Sequence, residues 1–395
     1  MYKSDKSIVF ASIGWYLLDK NLKKRRKQMA NKFTAGPNPN IAFEDTKIGR
    51  MKQEVFNMTD GEVDEALKEF DFPSSPELCK PGSYIQTTPA AEQDEIRRKN
   101  DVVLIPIGCT EDHGPHNPSG MDTFMVTAIA EGVRRYTLKH GPQVSIAFPP
   151  LLYGVHPQSH MGMDGTILVH EAAAVETLKD VMLGLWNAGY RKQILINNHG
   201  QSPALETAMW RFMKEYQLPG IYRIVDWHRN VREMFALKEW GGQFETPFTH
   251  ACEHETGCGL LCFPEMLNMD YVEDGAGRGV IPNGGEHFDG SVDAWRRPSR
   301  WEDGEGTSVL AMVATPNGVA GKSTLATADK LKKPYLAIMK YVVMLIDEYL
   351  EAFPPGEVPD PEETTFRTRE ELEPYLKEPH SEGWKSVYSL PKKIF

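Results

Sequence analysis

Three short apolar runs constrain the architecture most. Residues 102–107 read VVLIPI, residues 193–197 QILIN and residues 221–226 IYRIVD. The first is continuously apolar, as expected of a strand buried on both faces. Residues 143–148 read as a further strand. Between these runs lie segments long enough for helices: 122–138, 171–188 ending at Gly189, and 204–216. Strands alternating with helices of ten or more residues predict βαβ units, hence a three-layer α/β/α fold around a mainly parallel sheet. Residues 331–353 predict a long amphipathic helix that closes it.

The rest of the 395 residues divide around this core. Residues 1–33 are a basic extension: an apolar run of 11 (8–18), then Lys20, Lys23, Lys24, Arg25, Arg26 and Lys27. A membrane span takes about 20 apolar residues, and in a signal peptide the basic residues precede the apolar run instead of following it. No membrane span is expected. Residues 34–100, rich in Pro, Asn, Asp and Glu, predict an arm with a short helix near 60–70. Residues 101–353 form the main domain, interrupted at 274–306 by a glycine-rich insertion or lid carrying Trp295 and Trp301. Residues 354–395 are a Pro- and Glu-rich tail. With 44 basic against 55 acidic residues the chain is acidic, which argues against nucleic acid as a partner. Five cysteines without a CxxC pair make neither a disulfide framework nor a zinc knuckle. Reduced thiols and a cytoplasmic location are expected.

In a parallel sheet, ligands bind beyond the carboxyl ends of the strands. After VVLIPI comes GCTEDHGPHNPSGMD, with Glu111, His113, His116 and Asp122. After QILIN comes NHGQ, with His199 and Gln201, and the next strand leads into Trp227 and His228. HACEHETG then carries His250, His254 and Glu255. Four segments thus deliver imidazoles and carboxylates to one rim. Glu111 and His113, two apart, project to one side if extended. Carboxylate oxygen and imidazole nitrogen suit Zn²⁺ or Mn²⁺. Asp122 has two oxygens and can bridge two ions, with His199 and Glu255 completing the set. Taken singly, any of these side chains could be structural. Grouped and buried without a cation, they would be costly.

These segments resemble the creatininase family. IPIGCTEDHGPHNPSGMD is similar to the family's Glu-x-His pair followed by a bridging Asp. NNHGQ resembles its Asn-Gly-His motif, and HACEHETG its His-x4-Glu-Thr motif. YGVHPQSHMGMDGT and NGVAGKSTLATADK resemble further family segments. The resemblance implies two divalent metal ions: one held by Glu111, Asp122 and His199, the other by His113, Asp122 and Glu255. It makes His250 a proton carrier, so that His250 and Glu255 are the catalytic candidates. His116, His160, Gln201, Trp227, His228 and His254 are candidate substrate or supporting contacts. In creatinine-hydrolysing members a metal-binding glutamate stands where this chain has Gln201, and Asn198 replaces the usual glycine.

The expected activity is metal-dependent hydrolysis that opens a small cyclic carbonyl substrate. Two branches follow from the resemblance: cyclic amide hydrolysis of the creatinine type, or C–C ring opening of 3-dehydro-scyllo-inosose in inositol breakdown. Gln201, the arms and the insertion favour the second; Asn283, Glu286, His287 and Asp289 could suit a polyhydroxylated ligand. A metal-dependent sugar isomerase and a non-catalytic metal protein are the readings of another class. The family also implies a homo-oligomer, a hexamer. Gly318 to Ser323 mimics part of a phosphate loop, but Pro316 stands where that motif needs glycine.

Overall fold

In the computed structural model, residues 33–35, 41–155, 162–275 and 317–393 are described. A short antiparallel pair, β1 (Phe33–Ala35) and β2 (Ala42–Glu44), leads into α1 (Lys47–Asn57) and α2 (Asp60–Lys68). Thr59 caps α2 through a reciprocal capping box with Glu62. After α3 (Ala90–Lys99) the core begins with β3 (Val102–Ile107), buried at every residue. Then come α4 (Met121–His140), β4 (Ser145–Ile146), α5 (Glu171–Asn187), β5 (Lys192–Asn197), α6 (Ser202–Tyr216) and β6 (Ile221–Asp226). The sheet order is β4-β3-β5-β6, and every pairing is parallel. A single-turn helix, α7 (Trp227–Asn230), precedes α8 (Glu253–Cys262) and the long α9 (Ala328–Ala352).

Apolar clusters on both faces of the sheet account for the layers. On one face, Val102, Leu104, Ile194 and Ile196 pack with residues of α4 and α9. On the other, Val103, Ile105 and Leu195 pack with Val175 and Leu178 of α5 and Leu205 and Ala208 of α6. The α/β/α architecture expected from the apolar runs is therefore present. Differences are local. The strand expected over 143–148 pairs only at Ser145 and Ile146. Beyond the expected helix near 60–70, which ends at Lys68, α1 and α3 are helical too. The closing helix starts at Ala328, before Pro334.

Residues 41–72 are built into the main core through Phe43, Val55, Leu67 and Phe72. In the tail, α10 (Pro361–Thr364) and α11 (Arg369–Leu376) bring Leu372, with Val387 and Leu390, against Met182, Trp186 and Phe212. Arg367 is buried there, donating to Tyr216 O at 2.8 Å and Pro391 O at 2.6 Å. No helix among the described residues is long and apolar enough to cross a membrane. The basic extension up to residue 32, and 276–306 of the expected insertion, lie outside the described residues.

Candidate metal centre

The carboxyl-terminal rim is assembled by close packing of loop and helix backbones. Gly108 follows β3, and a Cβ there would lie 2.3 Å from Thr123 Cα. Only glycine lets the strand end approach the start of α4 so closely. That approach sets Asp122, in the first turn of α4, beside the loop carrying Glu111 and His113. His113 directs Nδ1 to the Glu111 carbonyl at 3.0 Å, which leaves Nε2 facing inward. His199 comes from the loop after β5, and Glu255 from the first turn of α8. Ala251, ahead of α8, has a φ of 50° and donates its N–H to Glu255 Oε2 at 2.7 Å. A left-handed alanine is uncommon. Here the glycine-rich segment braces it: Ala320 N donates to His250 O at 2.8 Å and Ser323 Oγ to Ala251 O at 2.5 Å.

The side chains converge. His199 Nδ1 lies 3.0 Å from Glu111 Oε2 and 3.3 Å from Asp122 Oδ2. His113 Nε2 lies 3.6 Å from Asp122 Oδ1 and 3.5 Å from Glu255 Oε2. The two Asp122 oxygens therefore face different histidines. Ligand atoms of Cys109, Glu111, Asp122 and His199 fall within 4.8 Å of one another, as do those of His113, Asp122 and Glu255, and those of Glu111, His113 and His250. Glu111, His113, Asp122 and Glu255 are all at most 4% exposed. His250 is more open, its side chain 21% exposed, with Nε2 2.5 Å from Asp112 O and Nδ1 3.7 Å from Glu111 Oε1.

Three carboxylates in so small a buried volume demand positive charge. Burial opposes charge on His113, yet Asp122, Glu255 and Glu111 outweigh it and raise its pKa to about 10. His199 is raised well above its ordinary range against burial, by Glu111 and Asp122. Against burial too, the two histidines hold Asp122 well below the usual carboxylate range. Glu255 is pushed up to about 7 by burial and by the Asp122 and Glu111 charges, against the pull of His113. His113 Nε2 makes no hydrogen bond of ordinary geometry among the described residues, although the residue is 1% exposed. Inward imidazole nitrogen and carboxylate oxygen are the donor set of a zinc or manganese site. The residues fit a bound divalent cation.

The remaining candidates are placed around this cluster. His116 is buried and bonds through Nε2 to Thr256 Oγ1 at 2.9 Å; burial and the neighbouring His113 charge lower its pKa to about 4. Gln201 donates to Gly108 O at 3.0 Å and accepts from Val155 N at 3.0 Å, so its carboxamide braces the loops behind the site. Trp227 is fully buried, and its Nε1–H donates to Asn198 Oδ1 at 2.5 Å. His228 stacks on Phe248 with centroids 4.4 Å apart, and His254 on Phe244 at 4.0 Å, both within an aromatic cluster beside the site. His160 lies outside the described residues, as do Asn283, Glu286, His287, Asp289, Trp295 and Trp301. Two residues had no assigned role in the sequence analysis. Asn198 donates to Asp122 Oδ1, and to Glu255 Oε1 at 3.4 Å. Cys109 points its Sγ at Asp122 Oδ2, 2.7 Å away. The available signal was position: Asn198 directly follows β5, and Cys109 lies two residues past β3.

A family model described as creatinine amidohydrolase matches residues 86–346, more than half of the chain. The chain belongs to the creatininase family. It is an enzyme, a hydrolase of a family whose solved members include a manganese form and a Zn-Zn form. The 3-dehydro-scyllo-inosose hydrolase of Thermotoga maritima is 40% identical over 308 residues, covering 78% of this chain and 96% of that protein. Creatinine amidohydrolase of Pseudomonas putida is 24% identical, over 44% of this chain and 68% of that protein. Among solved structures, a creatininase mutant complexed with creatine superposes with a TM-score of 0.53 at 17% identity, covering 69% of this chain and 99% of the other. That likeness carries the creatininase fold.

Proposed function

We propose that this enzyme hydrolyses 3-dehydro-scyllo-inosose or a closely similar cyclic polyol diketone, adding water to a ring carbonyl and breaking the adjacent C–C bond. The observation that carries this reading is the 40% identity to a 3-dehydro-scyllo-inosose hydrolase along 96% of that protein. The creatinine-type cyclic amide reading has less support. Identity to the creatinine enzyme is lower and covers less of the chain, and the carboxamide of Gln201 is committed to Gly108 and Val155.

We assign two divalent ions, Zn²⁺ or Mn²⁺, to the rim. Glu111, Asp122 and His199 would hold one, and His113, Asp122 and Glu255 the other. A bound pair supplies an activated water and a Lewis acid for the substrate carbonyl. Asp122 would be shared between the two ions, since its two oxygens face different histidines. Asn198 fixes its orientation, and Trp227 fixes Asn198. Glu255 is anchored by the Ala251 N–H and lies beside His113. His250 donates Nε2–H to Asp112 O and turns Nδ1 towards the Glu111 side of the cluster. This tautomer presents a lone pair that takes the proton of the attacking water and returns it to the carbon released when the ring opens. The partial exposure of His250 suits that exchange. His116, His228 and His254 serve as supporting contacts. We also assign a homo-oligomeric, hexameric assembly and a cytoplasmic location, in keeping with the family and with five free cysteines.

The test incubates purified, metal-loaded chain with 3-dehydro-scyllo-inosose in H₂¹⁸O and reads the product by mass. An acyclic product carrying one ¹⁸O in its new carboxylate supports the proposal. A rearranged ring without stable label supports an isomerase instead, and faster turnover of creatinine restores the amide reading.

A further inference from the structure

We propose that Cys109 is a sulfur ligand of the ion held by Glu111, Asp122 and His199. The proposal rests on the metal-centre reading above and sharpens it. Cys109 lies two residues past the end of β3, fully buried. Its Sγ is 2.7 Å from Asp122 Oδ2 and 3.7 Å from Glu111 Oε2. One donor atom from each of Cys109, Glu111, Asp122 and His199 lies within 4.8 Å of all the others. Thiolate, carboxylate and imidazole are all donors that zinc accepts, and Cys109 would add the sulfur to the three residues already assigned to this ion. A separate observation points to a ligand here: His113 Nε2, buried on the other side of Asp122, aims into the same centre without a hydrogen bond of ordinary geometry among the described residues. The carboxamide two residues beyond His199 offers no competing donor, because Gln201 is held by Gly108 O, Asn197 Oδ1 and Val155 N.

Coordination forms a metal–sulfur bond and breaks the S–H bond, the proton passing to solvent. A thiolate makes this half of the centre softer than the half built from His113, Asp122 and Glu255. The two positions then differ in preference, the Cys109 side selecting zinc over manganese.

The test strips the full-length protein of metal, reloads it with Co²⁺ and records the near-ultraviolet spectrum. A sulfur-to-cobalt charge-transfer band is expected in the wild type. It should vanish in Cys109→Ser and persist in Cys79→Ser, which removes the exposed thiol. The zinc-over-manganese affinity ratio should fall at least about tenfold in Cys109→Ser. X-ray absorption of the zinc-loaded wild type needs no variant and should show one sulfur at about 2.3 Å. Cobalt bound at undiminished stoichiometry without a sulfur band overturns the proposal and reduces Cys109 to a hydrogen-bond donor to Asp122. A band that survives Cys109→Ser overturns it as well. Protein that retains no cobalt removes the metal centre itself, and this inference with it.

Discussion

At the amino-terminal end of the sheet, Asp101 enters β3 and Lys192 opens β5. Their side chains are fully buried, and Lys192 Nζ lies 2.6 and 2.8 Å from the two carboxylate oxygens. Residues beyond α9 seal the pair: Gly356 N donates to Asp101, and Lys192 reaches Glu357 O. At the carboxyl-terminal end of the same strands, the described partners of Asp122 and Glu255 are histidines, amides and a thiol. One end neutralises its buried acid with a covalently attached cation; the other gathers acids around inward-facing imidazoles. The difference separates a device that holds the fold from one built to take a ligand. Elsewhere the molecule follows the first pattern, with Lys52 on Glu233 at 2.9 Å and Lys330 on Glu253 at 2.8 Å.

Substitutions at the two ends should therefore fail in different ways. Asp122→Asn removes the shared carboxylate, and turnover should drop by at least about a thousandfold together with bound metal. Cooperative unfolding should remain; steady-state kinetics, elemental analysis and calorimetry check the three parts. His250→Ala should lower kcat by roughly 100- to 10,000-fold with metal content unchanged, and a fall in metal content would make His250 a ligand. Lys192→Met, at the opposite end, strands Asp101 and should cost about 3–5 kcal/mol of stability in urea unfolding. Its folded fraction should carry the wild-type metal complement. Trp227→Phe removes the N–H that holds Asn198 and should weaken metal affinity about tenfold, leaving kcat at saturating metal close to wild type. If Lys192→Met lost metal while keeping its stability, the contrast between the two ends would collapse.

The same contrast explains what could be read from the sequence. β3 and β5 were legible from the apolar stretches at their centres, and β6 from Ile221, Ile224 and Val225. In α3 the inward residues are Gln93 and Arg97, one turn apart and both polar. Gln93 bonds to Ser145 Oγ at 2.7 Å, and no apolar stripe announces such a helix. β4 shrank because only two residues find a partner. At the rim, Glu111, His113, Asp122, His199, His250 and Glu255 stood out because position after a strand and chemistry agree. Side-chain direction is another matter. Gln201, Trp227 and His254 occupy equally suggestive positions, yet hydrogen bonding and ring stacking turn them into struts. Cys109 was masked by its residue type, since a thiol after an apolar strand counts as more core until its distance to Asp122 is known.

The central claim is that the buried acids of the carboxyl-terminal rim are matched by bound divalent cations. Elemental mass spectrometry of purified, extensively dialysed full-length protein tests it directly. The account predicts roughly two divalent ions per chain, lost on Asp122→Asn and retained on Lys192→Met. Fewer than about one ion per chain in active protein would contradict it.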